Sequence, residues 1–344
     1  MSPAADASTC ASWLNVALPH LGTNLVPEKR RAPLLELGTR LPDCMHGFEV
    51  RLGRTKDEPV DLSIRINEPQ QARAVASASE SPFLRSLLKT WANGTIPTLV
   101  IPELWLEFDL PGDPEAPIGK LPEPILCAGL GKQAPESWYL DSFIPAFHKD
   151  PPTEFQRQQM RRFADLMPAG TRPAYLFSLQ ARGSRGMRVD TQDMPAAHMP
   201  GFVEELISPE HAAAVETILP LAEMVPSRHL SCDLMPESFG NRVGVEVSFH
   251  QFKDTRWSDL LDRLIDMELC TSEQKASILA WRGVSSAATS PDLWPVGADG
   301  QPAPGFCVRA ISHIKLSLKP GQATTAKVYF GIFHFVRRPS AAGN

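Results

Sequence analysis

One pattern recurs five times along the chain: a stretch with helical spacing of apolar residues is followed by two short strands. The 33 prolines and 22 glycines divide the 344 residues into these segments. The strand pairs begin near residues 48, 104, 174, 229 and 307, which are 55 to 78 residues apart. Such spacing indicates a degenerate repeat, in which each unit needs its neighbours to bury its apolar face.

Each strand pair is predicted to be a β-hairpin, because sequences of period two flank a segment rich in turn-forming residues. The predicted hairpins are GFEVRLGR with VDLSIRI, LWLEFDL with PILCAGL, PAYLFSLQ with GMRVDTQ, HLSCDLM with RVGVEVSFH, and HIKLSLK with AKVYFGIFHF. Apolar stripes at helical spacing predict amphipathic helices around residues 83–91, 155–167, 203–207 and 257–265.

The two faces of the predicted strands differ in polarity. In RVGVEVSFH, Val243, Val245 and Val247 share one face, whereas Glu246 and Ser248 share the other. The apolar face suits a covering layer of helices, and the polar face suits an interior that holds a ligand.

We therefore expect an α+β fold in a single domain spanning residues 1–344. Its centre would be a ten-stranded antiparallel β-barrel of five helix-plus-hairpin repeats, with helices outside and a ligand lumen inside. An open antiparallel sheet with one face in water produces the same alternation. The barrel is favoured because five hairpins leave no spare elements to protect two open edges.

The polar strand faces together bring many charged groups to the predicted lumen. The acids are Glu49, Asp61, Glu107, Asp109, Asp190, Asp233 and Glu246, the bases are Arg51, Arg65, Arg188, Lys315 and Lys327, and His250 and His313 join them. Charges enclosed together perturb one another's pKa, which is typical of functional sites. Ion pairs that only brace the barrel wall give the same pattern, so both interpretations stay open.

Composition argues against several classes of partner. A net charge of -5 and a pI near 6.0 provide no electrostatic surface for nucleic acid or for an anionic membrane. No apolar run approaches the roughly 20 residues that span a bilayer, and the first residues lack the pattern of a signal peptide. The cytoplasm is the expected compartment.

Known catalytic and metal-binding motifs are absent from the sequence. There is no nucleophile elbow, phosphate-binding loop or zinc-protease motif, and no cluster of Asp, Glu, His or Cys has ligand spacing. We therefore expect no metal and no cofactor. The six single cysteines are expected to be free thiols, mostly buried.

The first hairpin carries a resemblance to a known family. Phe48-Glu49-Val50-Arg51, followed by Ser63-Ile64-Arg65-Ile66-Asn67-Glu68-Pro69, resembles the first hairpin of aromatic prenyltransferases of the dimethylallyl tryptophan synthase type. The likeness of organisation covers nearly the whole chain, whereas the specific motif covers this hairpin. It implies a prenyltransferase barrel, also called the ABBA fold, and metal-independent prenyl transfer. The implied partners are a prenyl diphosphate and an aromatic small molecule or peptide.

The resemblance also assigns roles to residues. It implies that Glu49 holds the indole N–H of the acceptor and assists its deprotonation, and that Arg65 contacts the prenyl diphosphate. Further members of the basic wall are matched by Arg188, Lys315 and Lys327. The remaining predicted substrate-binding residues are Tyr329 and Glu246 on the lumen face, and Trp105 as an aromatic surface for the allyl cation.

The chain departs from the family pattern at several positions. The family has a lysine on the second strand of the second unit, where this chain has the uncharged sequence ILCAGL. It has another lysine two residues after the position of Arg188, where this chain has Asp190. Of the three tyrosines, Tyr139, Tyr175 and Tyr329, we expect Tyr329 alone on a clear lumen face. A second hypothesis is therefore a diverged barrel that binds or cyclises a neutral or cationic small molecule or peptide without diphosphate chemistry. A third is a partner-binding module.

Overall fold

The computed structural model describes residues 9–53, 60–131, 144–250, 253–297 and 299–335. Within these ranges the strands are β1 (His46–Arg51), β2 (Asp61–Ile66), β3 (Glu103–Phe108), β4 (Ile125–Gly129), β5 (Arg172–Ser178), β6 (Met187–Gln192), β7 (Ser227–Leu234), β8 (Phe239–Ser248), β9 (Gly283–Ser285), β10 (Phe306–Leu318) and β11 (Thr325–Phe335).

Ten of these described strands close into an antiparallel barrel. Strands β1 to β8 pair in chain order, β8 pairs with β10, β10 pairs with β11, and β11 returns to pair with β1. The short β9 adds to the first residues of β10. The predicted ten-stranded barrel of five hairpins is confirmed, whereas β9 is too short to show a period in the sequence.

Helices precede each hairpin. In the described ranges they are α1 (Cys10–Ala17), α2 (Glu28–Gly38), α3 (Pro69–Ala78), α4 (Pro82–Ala92), α5 (Ile144–Phe147), α6 (Glu154–Asp165), α7 (Met199–Leu206), α8 (Pro209–Glu216), α9 (Leu219–Glu223), α10 (Trp257–Asp266) and α11 (Ser272–Trp281). The four predicted amphipathic stretches correspond to α4, α6, α7 and α10. None of the described helices is long and apolar enough to cross a membrane.

The hydrophobic core lies between the outer face of the barrel and these helices. Trp281 of α11 packs against Phe48 and Phe330 of adjacent strands, with ring centroids 5.3 and 5.2 Å away. All three side chains are fully buried, and removing such a ring costs about 3–5 kcal/mol. Because the apolar strand faces are used in this core, the polar faces point to the interior.

The barrel wall requires a glycine at one position where β1 pairs with β11. A Cβ atom at Gly47 would lie 2.2 Å from the carbonyl oxygen of Phe330, so no other residue fits without moving backbone. Gly47 therefore fixes the close approach of the first strand to the last, two residues before Glu49.

Candidate active site in the barrel lumen

A cavity of about 280 Å³ occupies the lumen. Its aromatic walls come from Trp105, Tyr175, Phe177 and Tyr329. Five of the eight residues predicted from the sequence line it: Trp105, Arg188, Glu246, Lys315 and Tyr329. The lumen therefore combines flat apolar surfaces with buried charge, as small-molecule sites do.

Glu49 is buried and ion-paired. Its Oε1 accepts a hydrogen bond from Lys327 Nζ on the adjacent strand β11, and Tyr329 also interacts with the carboxylate. Burial opposes ionisation of Glu49, but the ammonium of Lys327 outweighs it, and the pKa of the carboxyl falls to about 2. Glu49 is thus a carboxylate at neutral pH, and its oxygen atoms act as hydrogen-bond acceptors.

Two further carboxyl groups lie beside Glu49. Oxygen atoms of Glu49, Asp61 and Glu107 lie within 4.8 Å of one another. Burial and the charge of Glu49 raise the pKa of Asp61 to about 8, so its carboxyl is protonated at pH 7. The absence of ligand spacing in the sequence does not reveal this cluster, because pairing of β1 with β2 and of β2 with β3 joins acids that are far apart in the chain. A metal cation bound by these three carboxyl groups would have to displace both the proton of Asp61 and the ammonium group of Lys327.

Each cation of the predicted basic wall has a carboxylate partner. Arg188 donates to Asp233 through Nε at 2.6 Å and through Nη2 at 3.2 Å. Lys315 Nζ donates to Glu246 Oε1 at 2.7 Å, and Lys327 donates to Glu49.

The fourth cation, Arg65, is not among the described residues that line the lumen cavity. Arg65 Nε donates to Glu103 Oε2 at 2.6 Å, and the same carboxylate accepts from Trp105 Nε1 at 3.0 Å. The structure therefore brings Arg188 and Lys315 to one cavity, while Arg65 is held by a carboxylate toward the Met45 end of the lumen.

Lys315 can reach the lumen because its neighbour lacks a side chain. Gly244 of β8 lies beneath it, and a Cβ there would be 2.9 Å from Lys315 Cε and 2.2 Å from Ser231 Oγ. Lys315 is almost fully buried, and the carboxylate of Glu246 compensates its charge. Glu246 in turn has a lowered pKa, since Lys315 outweighs the effect of burial.

A second cavity, of about 710 Å³, opens at the other end of the barrel. Its lining is rich in cations, among them Arg51, Arg182, Arg242, Lys319 and Lys327. Glu49 lies between the two cavities, since it contacts Tyr329 of the first and Lys327 of the second.

Three expectations about the lumen need correction or fall outside the described residues. Tyr175 also faces the cavity, so Tyr329 is not the only tyrosine there. His250 lies beyond the end of β8 and is exposed, because the strand stops at Ser248. Tyr139 lies outside the described residues.

Sequence reasoning missed Arg182. It lies in the ARGSR turn between β5 and β6, and it donates to Asp109 at 2.6 and 2.7 Å and to Glu107 at 3.1 Å. Strand alternation cannot identify a side chain that reaches the lumen from a turn. The six cysteines are free and buried, as expected.

A closed ten-stranded antiparallel barrel with outer helices and a polar, aromatic-lined lumen defines the prenyltransferase barrel, or ABBA fold. The chain matches the crystal structure of 5-dimethylallyltryptophan synthase from Streptomyces coelicolor with a TM-score of 0.50 and 13% identity, over 94% of this chain and 97% of that one. It matches prenyltransferase PriB in its apo form with a TM-score of 0.51 and 14% identity, over 93% and 94% of the two chains. No protein-family model and no curated protein matches the sequence. The fold expected from the first hairpin is thereby confirmed.

Proposed function

We propose that the chain transfers a prenyl group from a prenyl diphosphate to an aromatic, indole-like acceptor without a metal ion. The observation that carries the proposal is the buried, ionised Glu49 held between Lys327 and Tyr329, in a barrel with the fold of known prenyltransferases. A carboxylate that accepts a hydrogen bond from a ring N–H increases the electron density of the ring as a carbocation approaches.

In the proposed reaction, the bond between the allylic carbon and the diphosphate oxygen breaks, and its electron pair leaves with the diphosphate. A ring carbon of the acceptor then donates an electron pair to the allylic carbon. That ring carbon then transfers its proton to the released diphosphate, which restores aromaticity. The rings of Trp105 and Tyr329 line the cavity and stabilise the allyl cation through cation–π attraction.

The leaving diphosphate needs cations. Arg188 already makes a two-point contact with a carboxylate, and a phosphate accepts the same geometry. Lys315 lines the same cavity. To bind diphosphate, these groups exchange Asp233 and Glu246 for phosphate oxygens.

A second function is favoured by one specific observation. Arg65, Arg188, Lys315 and Lys327 each have a carboxylate partner, and those carboxylates would repel a diphosphate. In this alternative the barrel binds or cyclises a neutral or cationic small molecule or peptide without diphosphate chemistry.

The deciding experiment is incubation of the full chain with dimethylallyl, geranyl and farnesyl diphosphates, each with tryptophan and with tryptophan-containing peptides. Diphosphate release and product mass are measured. The matched variants are Glu49→Gln in the lumen and Glu216→Gln on an exposed helix position. Release that Glu49→Gln abolishes and Glu216→Gln leaves intact supports transfer. Absence of release with every donor rejects transfer and favours the second function.

A further inference from the structure

Asp190 is a buried carboxyl group whose two oxygen atoms both lack a hydrogen-bond partner. It lies on β6, lines the lumen cavity and is 1% exposed. Leaving a buried carboxylate without a partner is among the most destabilising arrangements in a folded protein. Such a group, facing a cavity, indicates a ligand that donates hydrogen bonds.

Other carboxyl groups of the described lumen are compensated by neighbours. The pairs are Glu49 with Lys327, Glu103 with Arg65, Glu107 and Asp109 with Arg182, Asp233 with Arg188, Glu246 with Lys315, and Asp61 with the backbone N–H of Leu110. Asp190 differs from all of these, because it has neither a cation nor a backbone donor at hydrogen-bond distance.

When its carboxyl group is ionised, Asp190 adds a negative charge that has no hydrogen-bond partner among the described residues. The neighbouring cations, Lys315 and Arg188, pair with the carboxylates of Glu246 and Asp233, and the exposed Arg242 lies 3.6 Å from Asp233 as well. Three histidines also line the cavity, but burial lowers the pKa of His229 and lowers those of His46 and His313 to about 4, so all three are neutral at pH 7. A ligand with a single positive charge would compensate the charge of Asp190.

Aromatic rings surround the same position. Tyr175 is the direct cross-strand neighbour of Asp190, and its ring stacks with that of His229 at a centroid distance of 6.1 Å. His229 Nδ1 is also buried without a partner. A carboxylate beside aromatic faces is the combination that binds organic ammonium ions.

We propose that Asp190 anchors the protonated amine of an aryl-alkyl ammonium ligand, with the ligand's ring against the aromatic walls of the lumen. The cavity of about 280 Å³ is near the lower limit of roughly 300 Å³ for small-molecule pockets, which suits one bicyclic amine. That this ligand is the acceptor of prenyl transfer rests on the proposed function. The binding itself does not.

The test uses equilibrium binding to the full chain, measured by titration calorimetry without any prenyl diphosphate. The probes are tryptamine, which carries an ammonium group, and tryptophol, which has the same indole with a neutral hydroxyl. The variants are Asp190→Asn and, as a matched control, Asp193→Asn, an exposed position three residues along the chain. Asp193 has a φ of 61°, a conformation that asparagine also adopts.

We expect wild type to bind tryptamine at least tenfold more tightly than tryptophol. Asp190→Asn should weaken tryptamine binding by roughly 10- to 100-fold, the range for a hydrogen bond to a charged group, and leave tryptophol binding unchanged. Asp193→Asn should behave as wild type. The preference of the wild type for tryptamine over tryptophol is measured without any variant, so it tests the proposal even if Asp190→Asn does not fold.

Three results would overturn the proposal: no tryptamine binding by wild type, equal tryptamine affinity in wild type and Asp190→Asn, or equal weakening of both probes. Failure of prenyl transfer is seen in a different assay, with diphosphates present. Failure of ammonium binding at Asp190 is thereby distinguished from failure of prenyl transfer.

Discussion

Replacing Asp190 by asparagine should stabilise the protein, by an amount that depends on pH. Burial, opposed by Lys315, raises the pKa of Asp190 from 3.8 to about 7. At 1.36 kcal/mol for each pKa unit, the ionised carboxylate destabilises the folded state by about 4 kcal/mol. Because the folded chain binds this proton more tightly than the unfolded chain, stability is lost as the pH rises from about 4 to about 7, and the loss is then complete.

The assay is urea unfolding followed by tryptophan fluorescence, for wild type and Asp190→Asn, between pH 5 and pH 8. The free energy of unfolding of the variant should exceed that of wild type by about 3 kcal/mol more at pH 8 than at pH 5. Asparagine has a buried polar group too, so a constant offset between the proteins cancels in this comparison. The titratable and charged groups that face Asp190 stay in both proteins: Tyr175, Arg188, His229, Asp233, Glu246 and Lys315.

A difference in stability that stays constant from pH 5 to pH 8 would refute this reasoning, since it would mean that Asp190 titrates alike in the folded and unfolded chains. Asp193→Asn provides the control, because its exposed side chain should give no growing difference.

Three further outcomes are expected. In Glu49→Gln, turnover should fall about 100-fold or more in single-turnover measurements while diphosphate affinity is nearly unchanged; full turnover would remove Glu49 from the mechanism. In Arg65→Ala, Glu103 loses its guanidinium partner, so the free energy of unfolding should fall by about 1–3 kcal/mol in urea titrations; unchanged stability with weaker diphosphate binding would identify Arg65 as a diphosphate ligand instead. Transfer should continue in EDTA, because Lys327, the proton on Asp61 and Arg182 already compensate the three acids of the cluster; activity lost in EDTA and restored by Mg²⁺ would contradict this.

Strand alternation was sufficient to predict the barrel and the faces of most strands. The valines of β8 are buried under helices, and Glu246 between them faces the lumen, as the period of two requires. Polarity does not reveal the inner face of β5, where Leu176 is buried outside the barrel and Tyr175 and Phe177 face the lumen. Both faces of that strand are apolar, so polarity does not distinguish them.

The pairing of the charges was not predictable from the sequence. Alternation states that Arg188 and Asp233 point inward, but only the register of β6 against β7 makes them direct neighbours. The same holds for Glu49 and Asp61, which face each other across β1 and β2 and thereby raise the pKa of the aspartate. Weak sequence signals also hid α2, which contains Pro33 and begins with charged residues.

Closure of the ring by β11 has a consequence for how the barrel forms during synthesis. Lys327 and Glu49 are 278 residues apart, and β1 has no partner on that side until β11 leaves the ribosome. Contacts of such long sequence separation slow folding, and unpaired strand edges invite association between chains. A nascent chain that ends before β11 therefore exposes two strand edges, and the carboxylate of Glu49 lacks the ammonium that keeps it ionised. The last barrel strand completes both the wall and the ion pair of Glu49 in one step.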